Sequence, residues 1–215
     1  MMTLKQTRTI MINRDEIKII ALKNLYDCKI HGFPINIKFI IYSLGYKFIS
    51  IQELMKKGLL NQSDILNIKD LGIVCLDNEG KPRMCYSDKS SKSEIRWILA
   101  HELGHVVLGH IIKDENGYIK FKDGNKKVFE EEAELFARYI LAPELLLLTF
   151  GANTPKKIVN SFNIPAKNAM KIFSDIKIKN YTNFPELELP IIGLMYESLK
   201  LQHYEFSAEL EVSKI

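Results

Sequence analysis

Ile98-Leu99-Ala100-His101-Glu102-Leu103-Gly104-His105-Val106-Val107-Leu108 sets two imidazoles and a carboxylate inside an otherwise apolar, helix-forming run. Polar groups buried in such a run need partners. At about 100° per residue, His101 and His105 fall one turn apart on the same helix face, so both rings can reach a single ion. Zinc takes imidazole nitrogen at about 2.0–2.1 Å, and a glutamate beside the first ligand, here Glu102, can take a proton from water at the metal. The HExxH spacing therefore predicts His101 and His105 as metal ligands, Glu102 as general base and Zn2+ as cofactor.

The third ligand has to come from elsewhere. The longer HExxHxxGxxH pattern would need Gly at 108 and His at 111, where this chain has Leu108 and Ile111. On a helix continued to Ile112, His110 points about 180° away from His101 and is excluded from the site. A carboxylate is available downstream in Phe129-Glu130-Glu131-Glu132-Ala133-Glu134-Leu135-Phe136-Ala137-Arg138-Tyr139-Ile140-Leu141-Ala142-Pro143. With Glu130 set at 0°, the apolar residues of this run cluster at about 300°; Glu130 lies about 60° from that centre, Glu134 and Glu132 about 100° on opposite sides, and Glu131 about 160°. The phase favours Glu130, disfavours Glu131 and leaves Glu132 open.

The 215 residues, 47% hydrophobic and 26% charged, suffice for one good core and a small second unit. The net charge of +4 is spread along the chain and gives no focused basic stripe, so tight sequence-specific DNA binding is not expected. Cys28, Cys75 and Cys85 have no CxxC spacing and read as reduced packing residues. No apolar run is long enough for a membrane span, and no signal-like segment precedes Arg14, so the expectation is a cytoplasmic protein without membrane contact.

Asn13 reads as the cap of an amphipathic helix through Cys28, and Pro34 as the first turn of a short helix ended by Gly45. A strand is expected over residues 46–50, and short helices over 51–57 and 63–70. Gly72 to Leu76 and Pro82 to Tyr86 around Asp77-Asn78-Glu79-Gly80 predict a hairpin just before the metal helix, whose edge could hold an extended peptide. His31 reads as a linker residue. Residues 118–127 read as a loop or short hairpin, Glu144 to Phe150 as a short apolar turn, and 155–162 with 166–176 as a helix-turn-helix-like pair. Leu187 to Leu201 could form a last helix. A boundary near residue 150 divides a domain of residues 1–150 from a helical unit of residues 151–215.

Arg96-Trp97-Ile98-Leu99-Ala100-His101-Glu102-Leu103-Gly104-His105, then Leu108-Gly109-His110, then Glu130-x-Glu132-Ala133-x-x-Phe136-Ala137-x-x-Ile140-Leu141-x-Pro143 resemble the ImmA/IrrE family of metallopeptidases. The resemblance runs from about residue 10 to residue 176. Ile140 and Ala142 stand where the family more often has Leu and Met. It implies an α+β, zincin-like peptidase domain, mostly helical with a small antiparallel sheet, followed by a small helical unit. It also implies a protein substrate: members cut helix-turn-helix repressors of mobile elements or stress regulons. Glu130-x-x-Ala133-Glu134 further resembles the ExxAD/E pattern of related zinc peptidases, which assigns Glu130 as third ligand and Glu134 as the acid orienting a ligating histidine. Tyr86, Arg138 and Tyr139 stand open as oxyanion partners. The alternative is a non-catalytic regulatory protein using the metal fold as scaffold, and an intact Glu102 argues against it.

Overall fold

A computed structural model describes residues 12–59, 72–113, 119–122, 124–178 and 189–195. Helix α1 (Arg14–Asp27) is capped by Asn13, whose side chain accepts from the Glu16 N–H at 3.1 Å. α2 (Ile37–Ser43) begins at an Asn36 cap rather than at Pro34, because Asn36 can accept the Phe39 N–H. Gly45, at φ 79°, turns the chain into β1 (Lys47–Ser50), and Ser50 caps α3 (Ile51–Lys56). The helix expected over 63–70 lies outside the described residues.

β2 (Gly72–Leu76) and β3 (Pro82–Tyr86) form the expected hairpin, Gly72 opposite Tyr86 and Leu76 opposite Pro82. Asp77 closes it by accepting from the N–H groups of Glu79 and Lys81 at 2.9 and 3.0 Å. The sheet is mixed, which corrects the expectation of a purely antiparallel one: β3 is central and β1 runs parallel to it, Lys47 beside Arg83 and Ser50 beside Tyr86. A helix rather than a tight turn follows β1, so the chain can return and run β3 in the same direction. Successive residues of β3 face opposite sides. Met84 enters the main core, while Cys85 joins Ile49, Ile51 and Leu54 in a small separate cluster. All three cysteines are free, with Cys75 and Cys85 in Sγ contact at 2.9 Å.

α4 (Lys92–Val107) opens with a full capping box between Ser91 and Glu94. It stops at Val107 rather than continuing to Ile112. Gly109 adopts φ 67°, its N–H bonds the Val106 carbonyl at 3.1 Å, and the His110 N–H bonds the His105 carbonyl at 2.9 Å. These are the two bonds of a Schellman motif, and they reverse the chain into β4 (Ile111–Lys113), which pairs with β5 (Ile119–Phe121) as an antiparallel hairpin.

α5 (Lys126–Leu141) packs extensively on both α4 and α1. α6 (Glu144–Thr149), α7 (Pro155–Phe162) and α8 (Ala166–Ile178) follow, and residues 189–195 are helical. α7 and α8 send Ile158, Phe162, Ala169 and Ile172 into the buried cluster that holds Leu22, Leu99 and Phe136. Arg96 of α4 ties them down by donating to the carbonyls of Phe162 and Asn163, both at 3.3 Å, and of Ile35 at 2.7 Å. Among the described residues no helix is long and apolar enough to cross a membrane.

Candidate metal centre

α4 is hydrophobic on nearly every side and is buried accordingly: Leu99, Ala100 and Leu103 have no exposure. Its two histidines are therefore held by packing before any ion arrives. The crossing with α5 is unusually close at one point. A Cβ on Gly104 would meet the Cα and carbonyl oxygen of Ala133 and Cδ1 of Phe136, each at 3.2 Å. Only two small residues allow that approach, and it brings the first turns of α5 up to the histidine face.

Glu130 is the carboxylate delivered. Its Oε2 lies 3.2 Å from His101 Nε2 and 3.6 Å from His105 Nε2, and the two Nε2 atoms are 3.1 Å apart. His101, His105 and Glu130 thus form a group able to hold a metal ion. Glu131 sits outside this group, exposed and 4.0 Å from Lys127. Glu134 faces the outer nitrogen of His101, Oε2 to Nδ1 3.9 Å, too long for a direct hydrogen bond. Its carboxylate is fixed by Trp97 Nε1 at 3.1 Å, Asn168 Nδ2 at 3.2 Å and Lys171 Nζ at 2.8 Å.

Glu102 is buried, 8% exposed, beneath the start of β2. A Cβ on Gly72 would stand 2.9 Å from Glu102 Oε1 and 2.4 Å from Ile98 Cγ2, so only glycine fits where the edge strand crosses the metal helix. In the sequence Gly72 reads as the first residue of the hairpin, and nothing local marks this crossing.

His110 stays outside the group able to hold an ion, as the sequence predicts, but it does not stand where the helix phase put it. The helix phase that excluded it ends at Val107. Past the turn, its ring folds back with Nδ1 3.1 Å from His105 Nδ1 and Nε2 3.0 Å from Glu132 Oε2. It is 4% exposed and stacks on Phe129, ring centres 4.7 Å apart. Leu108-Gly109 carried the signal, since a glycine after a periodic run is a common helix stop.

Electrostatics divide the two histidines. Burial, with the neighbouring His101, pushes His105 down to about 4. Burial opposes the protonation of His101 too, but the contact with Glu130 and the charges of Glu102, Glu130 and Glu134 outweigh it and raise its pKa. Contact with His101 lowers the Glu130 pKa. The site is thus net acidic around two imidazoles, a donor set suited to a cation.

Of the open oxyanion partners, Tyr139 is sealed in the main core and Tyr86 packs beside Phe48. Arg138 lines a cavity of about 690 Å³ shared with His101, Glu130 and Trp97, but is engaged by Asp175 and, at 3.6 Å, by Glu144. His31 is exposed and distant in role, its Nδ1 3.0 Å from the Leu194 carbonyl.

No curated protein matches the sequence significantly. Residues 62–167, which carry the β2–β3 hairpin and α4 to α7, match the IrrE N-terminal-like domain of the M78 peptidases. With the α+β architecture and the histidine–glutamate group in place, this segment is similar to a family of metallopeptidases, and the similarity covers just under half of the chain.

Proposed function

We propose that this protein is a cytoplasmic zinc endopeptidase that cleaves a helix-turn-helix transcriptional repressor. The observation that carries the metal assignment is the triangle of Nε2, Nε2 and Oε2, with edges of 3.1, 3.2 and 3.6 Å. Ligands about 2.0–2.1 Å from a tetrahedral zinc stand about 3.3–3.4 Å apart, so the three atoms fit that ion with little movement and leave a fourth position open. Bound there, zinc supplies Lewis acidity to the scissile carbonyl and to water.

The chain's own residues do the rest. Glu102 takes the proton of the attacking water and returns it to the leaving amine. Glu134, pinned by three donors, sets a negative charge behind His101. β2 is an edge strand whose first residue touches Glu102, so an extended peptide added to that edge runs past the ligands, and the adjoining cavity can take a substrate side chain. The repressor as substrate rests on the resemblance of the motifs to the ImmA/IrrE family. Incubating zinc-loaded protein with a helix-turn-helix repressor and resolving the products on a gel tests it: discrete fragments that disappear with a chelator and with Glu102→Gln are expected, and an intact repressor would overturn the substrate assignment.

A further inference from the structure

We propose that His110 and Glu132 are positioning residues that hold His105 in the tautomer and orientation that present Nε2 to the metal. The inference rests on the reading of His105 as a ligand and extends it outward by two residues. Neither residue can coordinate the ion itself, because His110 uses Nδ1 toward His105 and Nε2 toward Glu132, and Glu132 is spent on His110.

The helix terminus builds the contact. In a Schellman motif the residue after the left-handed glycine folds back beside the residue three positions before the helix cap. Here those two residues are His110 and His105, joined also by the backbone bond of 2.9 Å. Rings rather than aliphatic groups meet there, and one proton arrangement satisfies both. A metal-facing Nε2 must carry a lone pair, so the His105 proton sits on Nδ1 and donates to His110 Nδ1 at 3.1 Å. The His110 proton then sits on Nε2, facing Glu132 Oε2 3.0 Å away. Phe129 stacks on His110 and Phe121 stands edge-on to His105 at 5.2 Å, which keeps both rings from rotating. The line ends on a carboxylate, the arrangement by which outer groups fix ligating imidazoles.

Zinc affinity, measured by competition with a chromophoric chelator, together with the visible spectrum of the cobalt-substituted protein and the melting temperature of the metal-free protein, tests the assignment. His110→Phe keeps the stacked ring and loses both nitrogens; Glu132→Ala removes the terminal acceptor; Glu132→Gln keeps an acceptor without its charge. Zinc affinity is expected to fall about 10–100-fold for His110→Phe and Glu132→Ala. The fall should be smaller for Glu132→Gln, with an altered cobalt spectrum and little change in metal-free melting. Since both act on one ring, the double variant should lose no more than His110→Phe alone. Affinities within twofold of the parent, additive losses, or losses matched by failure of the metal-free fold would overturn the proposal. His105→Ala separates this from the reading beneath it: if that change leaves zinc binding intact, both fall, whereas if it abolishes binding and the outer variants do nothing, only the outer chain falls.

Discussion

Glu102 and Glu130 are both acids next to the same two imidazoles, and what each touches separates their roles. Glu130 Oε2 lies within 3.2–3.6 Å of both Nε2 atoms, while Glu102 is buried against the backbone of Gly72. Glu102→Gln should therefore keep stoichiometric zinc while cleavage falls by several orders of magnitude, a split that metal analysis and a turnover assay read together. Glu130→Ala should strip the metal, and Glu131→Ala should leave it bound, since Glu131 is exposed beside Lys127. Equal zinc content in these last two variants would move the third ligand to another residue.

Two elements decide whether the centre assembles. α4 and α5 can approach only because Gly104 faces Ala133, where an added Cβ would stand just 3.2 Å from the Ala133 Cα and carbonyl oxygen. Gly104→Val should force the helices apart, cost about 1–3 kcal/mol in a denaturant titration and weaken zinc binding by withdrawing Glu130. The β2–β3 hairpin depends on Asp77, whose carboxyl is held down to about 2 by the N–H of Lys81, the Lys47 ammonium at 3.0 Å and the N–H of Glu79. A carboxylate depressed in the folded state stabilises it fully above the ordinary pKa of about 4 and loses that contribution as pH falls toward 2. The stability gap between the parent and Asp77→Asn should thus be constant from pH 7 to about 4 and close below it. A gap that widens on acidification would reverse the assigned sign.

Across the molecule as a whole, an ionic network joins α1, α6 and α8 to α5. Lys18 of α1 meets Glu144 of α6 at 2.5 Å, Glu144 lies 3.6 Å from Arg138 of α5, and Arg138 pairs with Asp175 of α8. Lys18, Glu144 and Arg138 are all at most 5% exposed. Removing one member leaves the others charged and poorly solvated, so Glu144→Ala should cost about 3–5 kcal/mol by denaturant unfolding. Because no member of the network is a ligand, the folded variant should still bind zinc. A loss below about 1 kcal/mol would show that water enters the cluster.

Local chemistry in the chain determined much of this. The His101-x-x-x-His105 spacing needs only helical periodicity, the Asn13 and Ser91 caps need only their own side chains, and the Asp77 turn fixes the β2–β3 register. The amphipathic phase of α5 favoured Glu130 over Glu131 because helix geometry is set by a few residues at a time, but it left Glu132 open. What lay beyond local rules was decided by tertiary structure. The parallel partner of β1 depends on a return path that no turn residue encodes. The use of Gly72 and Gly104 depends on which elements cross them, a fact carried by residues far away in the chain. His110 lies between these cases: Gly109 marked the helix end locally, but the partner on its far nitrogen, Glu132, comes from another helix and exists only once α5 has packed against α4.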